Sequence, residues 1–230
     1  MEKTDNFSEL KQEILDRARR AEACRPEYGR AYAAEDMQGL CTVIKDNFSW
    51  CCRRGVIDVR LLEKYKEDFA GNEIYVNTDA ERGFLLCDGN ATVRAFGSAT
   101  VEAYGSATVE ACSSATVEAY GNATVRACGS ATVEAFDSAT VRAFDNATVE
   151  ACGSATVRAY DSATVEAFDR ATVEACGSAT VRACGNAYYS SWSLMECKLS
   201  DNALYRVQST NTVYYANDSM KFRKQEGGAG

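Results

Sequence analysis

Thiols, corner carboxylates and outward aromatic rings are the side chains of this chain whose type and spacing could do chemistry. The 230 residues include 11 cysteines and no histidine. Without imidazole, the commonest general base and the commonest metal ligand are both missing. Thiols alone could hold zinc, but Cys51 and Cys52 are adjacent, not separated by two residues, and Cys24 and Cys41 fall in other segments. That spacing lacks a zinc pattern, and buried thiols of a small helical core are the better reading. Asp137, Asp145, Asp161 and Asp169 recur at turn positions and could bridge calcium. Local turn bonds explain them more simply. No cofactor, metal site or catalytic residue is therefore expected. An odd cysteine count behind a polar start, Met1 to Asn6, implies eleven free thiols and a cytoplasmic protein.

The elements that position these groups are short repeats. Twelve octapeptides run from Asn90 to Gly185, as in Ser98-Ala-Thr-Val-Glu-Ala-Tyr-Gly105. Alternation with period two marks strands. Ala99, Val101 and Ala103 form one invariant small apolar set, which predicts the buried face. Thr100, Glu102 and Tyr104 point the other way. The fifth position takes Glu or Arg, the seventh Tyr, Phe or Cys, and the eighth Gly, Asp or Ser. Gly or Asp followed by Ser or Asn is a turn signal. Each octad thus reads as one strand and one corner of a solenoid.

Columns of stacked residues suggest how many octads close a coil. Two per coil would stack Glu102, Glu118, Glu134, Glu150 and Glu166 directly, which like-charge repulsion disfavours. Three per coil would alternate signs in Arg94, Glu118, Arg142 and Glu166. It would also gather Phe96, Tyr120, Phe144, Phe168 and Trp192 into one aromatic column, and Cys128, Cys152 and Cys176 into another. The expectation is an α+β chain: a helical N-terminal domain followed by a three-sided parallel β-helix of about 24 residues per coil.

Domain bounds follow from pattern changes: a helical capping domain over 1–75, a transition over 76–89, the regular array over 90–185, irregular closing coils over 186–217, and a cap and tail over 218–230. In the helical part, Phe7, Leu10, Ile14 and Ala18 recur at helical spacing after Thr4 and Asp5 as caps. A second helix spans Met37 to Cys52. A third follows the cap residue Asp58 and ends near Gly71. Pro26 is placed in the first inter-helix turn. In the closing coils, Thr212-Val213 is read as keeping the octad register.

The octads resemble the variable-copy Asn/Ser-Ala-Thr-Val-Glu/Arg-Ala repeats of uncharacterised proteins from gut bacteria and their phages. The stretch Ile44-Lys-Asp-Asn-Phe-Ser-Trp-Cys-Cys52, with Leu62-Glu-Lys-Tyr65, resembles the small helical domain that precedes such arrays. The resemblance implies a β-solenoid and carries no activity.

Function is then read from the surface. A net charge of −8 argues against general nucleic-acid binding, and no apolar run reaches membrane length. The expectation is a non-enzymatic interaction or scaffold protein that binds another protein or a second copy of itself. The aromatic column Phe96, Tyr120, Phe144, Phe168 and Trp192 is the expected interface. The alternatives are a phage or surface fibre module, and an acidic nucleic-acid mimic using Glu102, Glu118, Glu134 and Glu150 as phosphate surrogates. Arg94, Arg126, Arg142, Arg158 and Arg182 weigh against the mimic, which needs one sign of charge.

Overall fold

The structure is a computed structural model that describes residues 2–216 and 223–224. Six helices come first: α1 (Glu2–Arg20), α2 (Arg25–Ala33), α3 (Met37–Asp46), α4 (Phe48–Arg53), α5 (Val59–Lys64) and α6 (Lys66–Ala70). Their boundaries have local causes. Asp36 accepts from the Gly39 N–H at 2.8 Å to start α3, and Asp58 accepts from the Leu61 N–H at 2.7 Å to start α5. Pro26 does not sit in a turn. It lies in the first turn of α2, where its missing N–H costs nothing. Thr4 and Asp5, expected ahead of the first helix, fall inside α1, which begins at Glu2.

Strands follow from Ile74 onward. β1 (Ile74–Val76), β2 (Phe84–Cys87) and β3 (Thr92–Ala95) lead into the octad strands, from β4 (Thr100–Ala103) to β14 (Thr180–Ala183). Beyond them lie β15 (Tyr188–Ser191), β16 (Cys197–Leu199), β17 (Leu204–Val207), β18 (Thr212–Tyr215) and β19 (Arg223–Lys224). Within each octad, residues three to six form the strand and the remaining four form the corner.

The coil holds 16 residues, not 24. Thr100 pairs with Thr116, Thr116 with Thr132, and so on up the stack, always in parallel. Consecutive octads therefore alternate between two sheets placed back to back. The first sheet runs β1-β2-β4-β6-β8-β10-β12-β14-β16, and the second runs from β3 through the odd-numbered strands to β17, β18 and β19. The expected three-sided helix is overturned by the corners. In the corner at Gly97, the Ala99 N–H donates to the Phe96 carbonyl at 3.1 Å, and the same bond recurs at Ala107, Ala123 and Ala139. A hydrogen-bonded four-residue turn reverses the chain, so two corners close a coil. A triangular section would need gentler bends.

The core explains why the stacked glutamates do not prevent this. Ala99, Val101 and Ala103, with their equivalents along the array, are buried between the sheets. Burying a valine contributes roughly 1.5–3 kcal/mol. Two carboxylates about 4.8 Å apart in water repel by about 1 kcal/mol. Burial and the corner hydrogen bond outweigh the ladder.

Corner residues take the left-handed conformation throughout, with φ near +55° at Asp137, Asp145, Asp161 and Asp169. Glycine and aspartate share these sites: glycine has no Cβ, and aspartate is one of the few other residues that visit this conformation routinely. The Asp carboxylates do not bond within their own turn. They reach one coil back: Asp137 accepts from the Gly121 N–H at 3.1 Å, Asp145 from Gly129 at 3.0 Å and Asp169 from Gly153 at 3.0 Å. They therefore satisfy corner donors that the strand ladders leave over.

The array ends by changing its core and closing its edge. Tyr189 and Tyr205 replace the central valine, stack at 4.4 Å and are buried. The Tyr205 hydroxyl accepts from the Met195 N–H at 2.7 Å, which shapes the corner carrying exposed Trp192 and Leu194. β18 then pairs antiparallel with β17, so Thr212 and Val213 do not continue the octad register. A reversed strand at the end blunts an edge that would otherwise template further pairing. The expected C-terminal cap and tail over 218–230 lie outside the described residues, apart from the backbone of β19.

The thiols also differ from expectation. Cys112 and Cys128 occupy neighbouring coils of the second sheet, with Cα atoms 4.8 Å apart, and form a disulfide; nine cysteines are free. The sixteen-residue period places these two side by side, which the longer period had kept apart.

The corner chemistry sets a stability order. Asp169→Gly should cost little, because it loses only an exposed hydrogen bond. Asp169→Ala loses that bond and puts an unassisted Cβ in the left-handed region, for about 1–2 kcal/mol in total. Thermal midpoints of the two variants should rank accordingly; equal midpoints would mean the corner conformation carries no stability.

Candidate functional site

The sixteen-residue register sorts the outward charges by sign. On the first sheet, Glu102, Glu118, Glu134, Glu150 and Glu166 stack in order, followed by Arg182 and Lys198. On the second, the column reads Arg94, Glu110, Arg126, Arg142, Arg158, Glu174, Ser190 and Arg206. The expected alternating column does not exist: Glu118 and Glu166 face one way, Arg94 and Arg142 the other. Two flat faces of opposite dominant charge result.

The expected aromatic column is divided in the same way. Phe96 is followed on its own sheet by Cys112, then Cys128, Phe144, Tyr160, Cys176 and Trp192. Tyr120 and Phe168 belong to the first sheet. Tyr104, Tyr120 and Phe136 stack there at 5.1 and 4.8 Å, and Phe144 stacks on Tyr160 at 4.9 Å on the other side. Phe96 and Trp192 are exposed, at 37% and 69%, while Tyr120, Phe144 and Phe168 are half-buried. The five residues form no contiguous stripe. Cys128 and Cys176 share the second sheet, and Cys152 lies on the first.

The helices cover the lower end of the acidic face. A second apolar core joins Phe48, Leu61, Leu62 and Phe69 to Ile74, Val76 and Leu86 on the outer side of the first sheet. Phe48 meets Phe84 at 5.0 Å between ring centroids. Where this contact ends, Ser49 of α4 donates to Glu118 Oε1 at 2.7 Å, and Tyr120 donates to Glu118 Oε2 at 2.5 Å.

Glu102 lies one rung deeper and is fully buried. Tyr104 donates to its Oε2 at 2.7 Å, and its Oε1 has no partner. Burial pushes this carboxyl up to about 7, and the neighbouring Glu118 charge adds to the effect. The Tyr104 bond and the nearby Arg53 charge oppose it. Burial also raises Cys52, beside it on α4, and the Glu102 and Glu118 charges push the same way. Glu134 is raised as well, first by partial burial and then by Glu118 and Glu150.

Beyond the helices the acidic face is open. Glu150 is exposed, and neither Glu134 nor Glu150 has an ion pair among the described residues. Glu166 pairs with Arg182 at 3.6 Å. On the opposite face, Arg126 approaches Glu110 at 4.0 Å and Arg158 approaches Glu174 at 3.2 Å, whereas Arg142 has no ion pair among the described residues. Exposed pairs of this kind contribute little stability, so both faces remain available to other charges. The signal for this arrangement lay in the octads, since every second fifth-position residue from Glu102 to Glu166 is glutamate. Ser49 and Cys52 carried no comparable signal.

Among the described residues no group of three or more potential ligands could hold a metal ion, and no helix is long and apolar enough to cross a membrane. The arrangement offers charged planes for binding and, at Glu102, a carboxyl that titrates near neutrality.

Glu102 makes stability depend on pH. Its folded pKa lies above its unfolded one, so the native state holds the proton more tightly. Its favourable contribution is complete below about 4.5 and is lost as pH rises through about 7. Glu102→Gln keeps the shape without the charge. It should match the parent at pH 4 and exceed it at pH 8 by up to about 3 kcal/mol. Chemical denaturation at the two pH values measures this; an equal difference at both would place the carboxyl outside any low-dielectric site.

No protein-family model, curated protein or solved structure matches this chain.

Proposed function

We propose that this chain is a non-enzymatic interaction or scaffold protein whose open acidic face binds a basic surface of another protein. The observation that carries the reading is the unbroken glutamate ladder, in which Glu134 and Glu150 have no ion pair among the described residues, on a flat sheet with most of the array's arginines on the reverse side. A rigid plane carrying one sign of charge gives selectivity and fast association more than raw affinity. Neighbouring Phe136 and Phe168 supply apolar area at its margin. Membership of the octapeptide-repeat solenoids of gut bacteria and their phages is part of this proposal, supported by the repeat sequence and the solenoid it forms.

Self-association by laying one copy's arginine face flat on another's acidic face has a steric obstacle. The helices stand on the acidic side up to Glu118, where a second solenoid in register would have to lie. A narrower basic partner fits better. The nucleic-acid mimic gains one supporting observation, because Arg94, Arg126, Arg142 and Arg158 lie on the opposite sheet from the glutamate ladder. It loses ground because Glu102 is buried and Glu118 is engaged by Ser49 and Tyr120, which leaves three rungs to imitate phosphates.

The test is charge reversal at the open rungs. Glu134→Lys with Glu150→Lys should retain the β-rich circular dichroism and weaken binding of partners captured from producing cells by roughly tenfold or more. Capture by the parent should fall steeply between low and high salt. Binding that is indifferent to both the reversal and salt places the interface elsewhere.

A further inference from the structure

The helical domain contains a cavity of about 230 Å³ where α1, α2, α3 and α4 meet. Ala18 and Ala31 leave the space open, and Val43, Trp50 and Cys51 wall it. Ala18, Ala31 and Cys51 are buried, so the space penetrates the domain's own core and is no mere surface dimple. Neither Phe48 nor Phe84, whose rings join the helices to the first sheet, lines it.

Most of the lining is apolar, with Ile14, Ala18, Leu40, Val43, Ile44 and Val56 among it. Asn47 uses its side-chain amide on Glu27 Oε2, at 3.0 Å, and on the Val43 carbonyl, at 2.9 Å. Glu27 also accepts from Arg30 at 2.8 Å. Glu22 stands exposed at the rim. A water molecule needs two to four polar partners to be held in such a space, and a lining made mostly of apolar side chains offers few. An apolar occupant would regain dispersion contacts that the walls otherwise lack.

We infer that this cavity is a binding site for a small uncharged apolar molecule. At the packing density of protein interiors, the space accepts about 170 Å³ of van der Waals volume, a body on the order of ten carbon atoms. A charged headgroup inside would lose its hydration against mostly apolar walls. The site is separate from the acidic face, so its occupancy neither requires nor excludes a protein partner there.

Trp50 reports on the site directly. The chain has two tryptophans, and Trp192→Phe leaves Trp50 as the only one. Titrating that full-length variant with 1-bromohexane should quench Trp50 saturably and raise the melting midpoint. Ala18→Leu and Ala31→Leu, each made separately in the same background, should weaken the saturable phase at least tenfold while preserving the helical circular dichroism. Linear, unsaturable quenching of the parent overturns the inference, as does undiminished binding in a folded filled variant. Should neither filled variant fold, Val43→Ala enlarges the cavity instead and should shift preference from 1-bromohexane to 1-bromooctane. An unchanged preference would overturn the assignment.

Discussion

A left-handed residue every eight residues, with a backbone hydrogen bond closing nearly every corner, governs this molecule. The corner at Gly97 reverses the chain within four residues, and each equivalent corner does the same. Two reversals return the chain above its start, so the coil has sixteen residues and two sides. Everything on the surface inherits that number. It decides which octads share a sheet, which cysteines meet, and which charges stack. The corner aspartates then lock successive coils together by accepting the N–H groups that the strand ladders leave over.

The same constraint imposes an electrostatic cost on one side. Five glutamates in a parallel ladder repel one another, and the structure relieves part of that without breaking the register. Arg182 caps the upper end, Ser49 and Tyr120 hold Glu118, and burial drives Glu102 toward its neutral form. The helices are thus more than a plug for the solenoid's first coils. They pack apolar surface on Phe84 and Leu86, and they cover the rung where a carboxyl is easiest to keep protonated. What remains uncovered is a short acidic plane bounded by a helical shelf, an arrangement suited to recognition by charge and shape. The apolar cavity belongs to the shelf and follows from small residues where its helices converge.

Much of this was legible in the octads and some was not. The strand positions, the buried Ala-Val-Ala set and the corners follow from local pattern, because alternation and turn chemistry act over a few residues. Asp58 as a helix cap was legible for the same reason. The coil period was not. Repulsion between like charges argued for three sides, but that term is small in water beside valine burial and a hydrogen-bonded corner. The aromatic column failed with the period, since Phe96 and Phe144 belong to one sheet while Tyr120 and Phe168 belong to the other. The Cys112–Cys128 disulfide was hidden for the same reason.

By itself the sequence determined that this chain is a solenoid with a helical start: a small apolar set repeated without variation has no use except stacking, and helical spacing in Phe7, Leu10, Ile14 and Ala18, with Asp58 as a cap, marks the helical part. Only the tertiary structure decided how many sides the solenoid has and what each side presents. Residues sixteen apart become neighbours through closure of the whole coil, a global property set by the angle of every corner at once. The buried state of Glu102 is likewise tertiary. Its octad, Ser98 to Gly105, is identical to the one at Glu118, Ser114 to Gly121, and only the docking of the helices separates a fully buried carboxyl from a partly buried one.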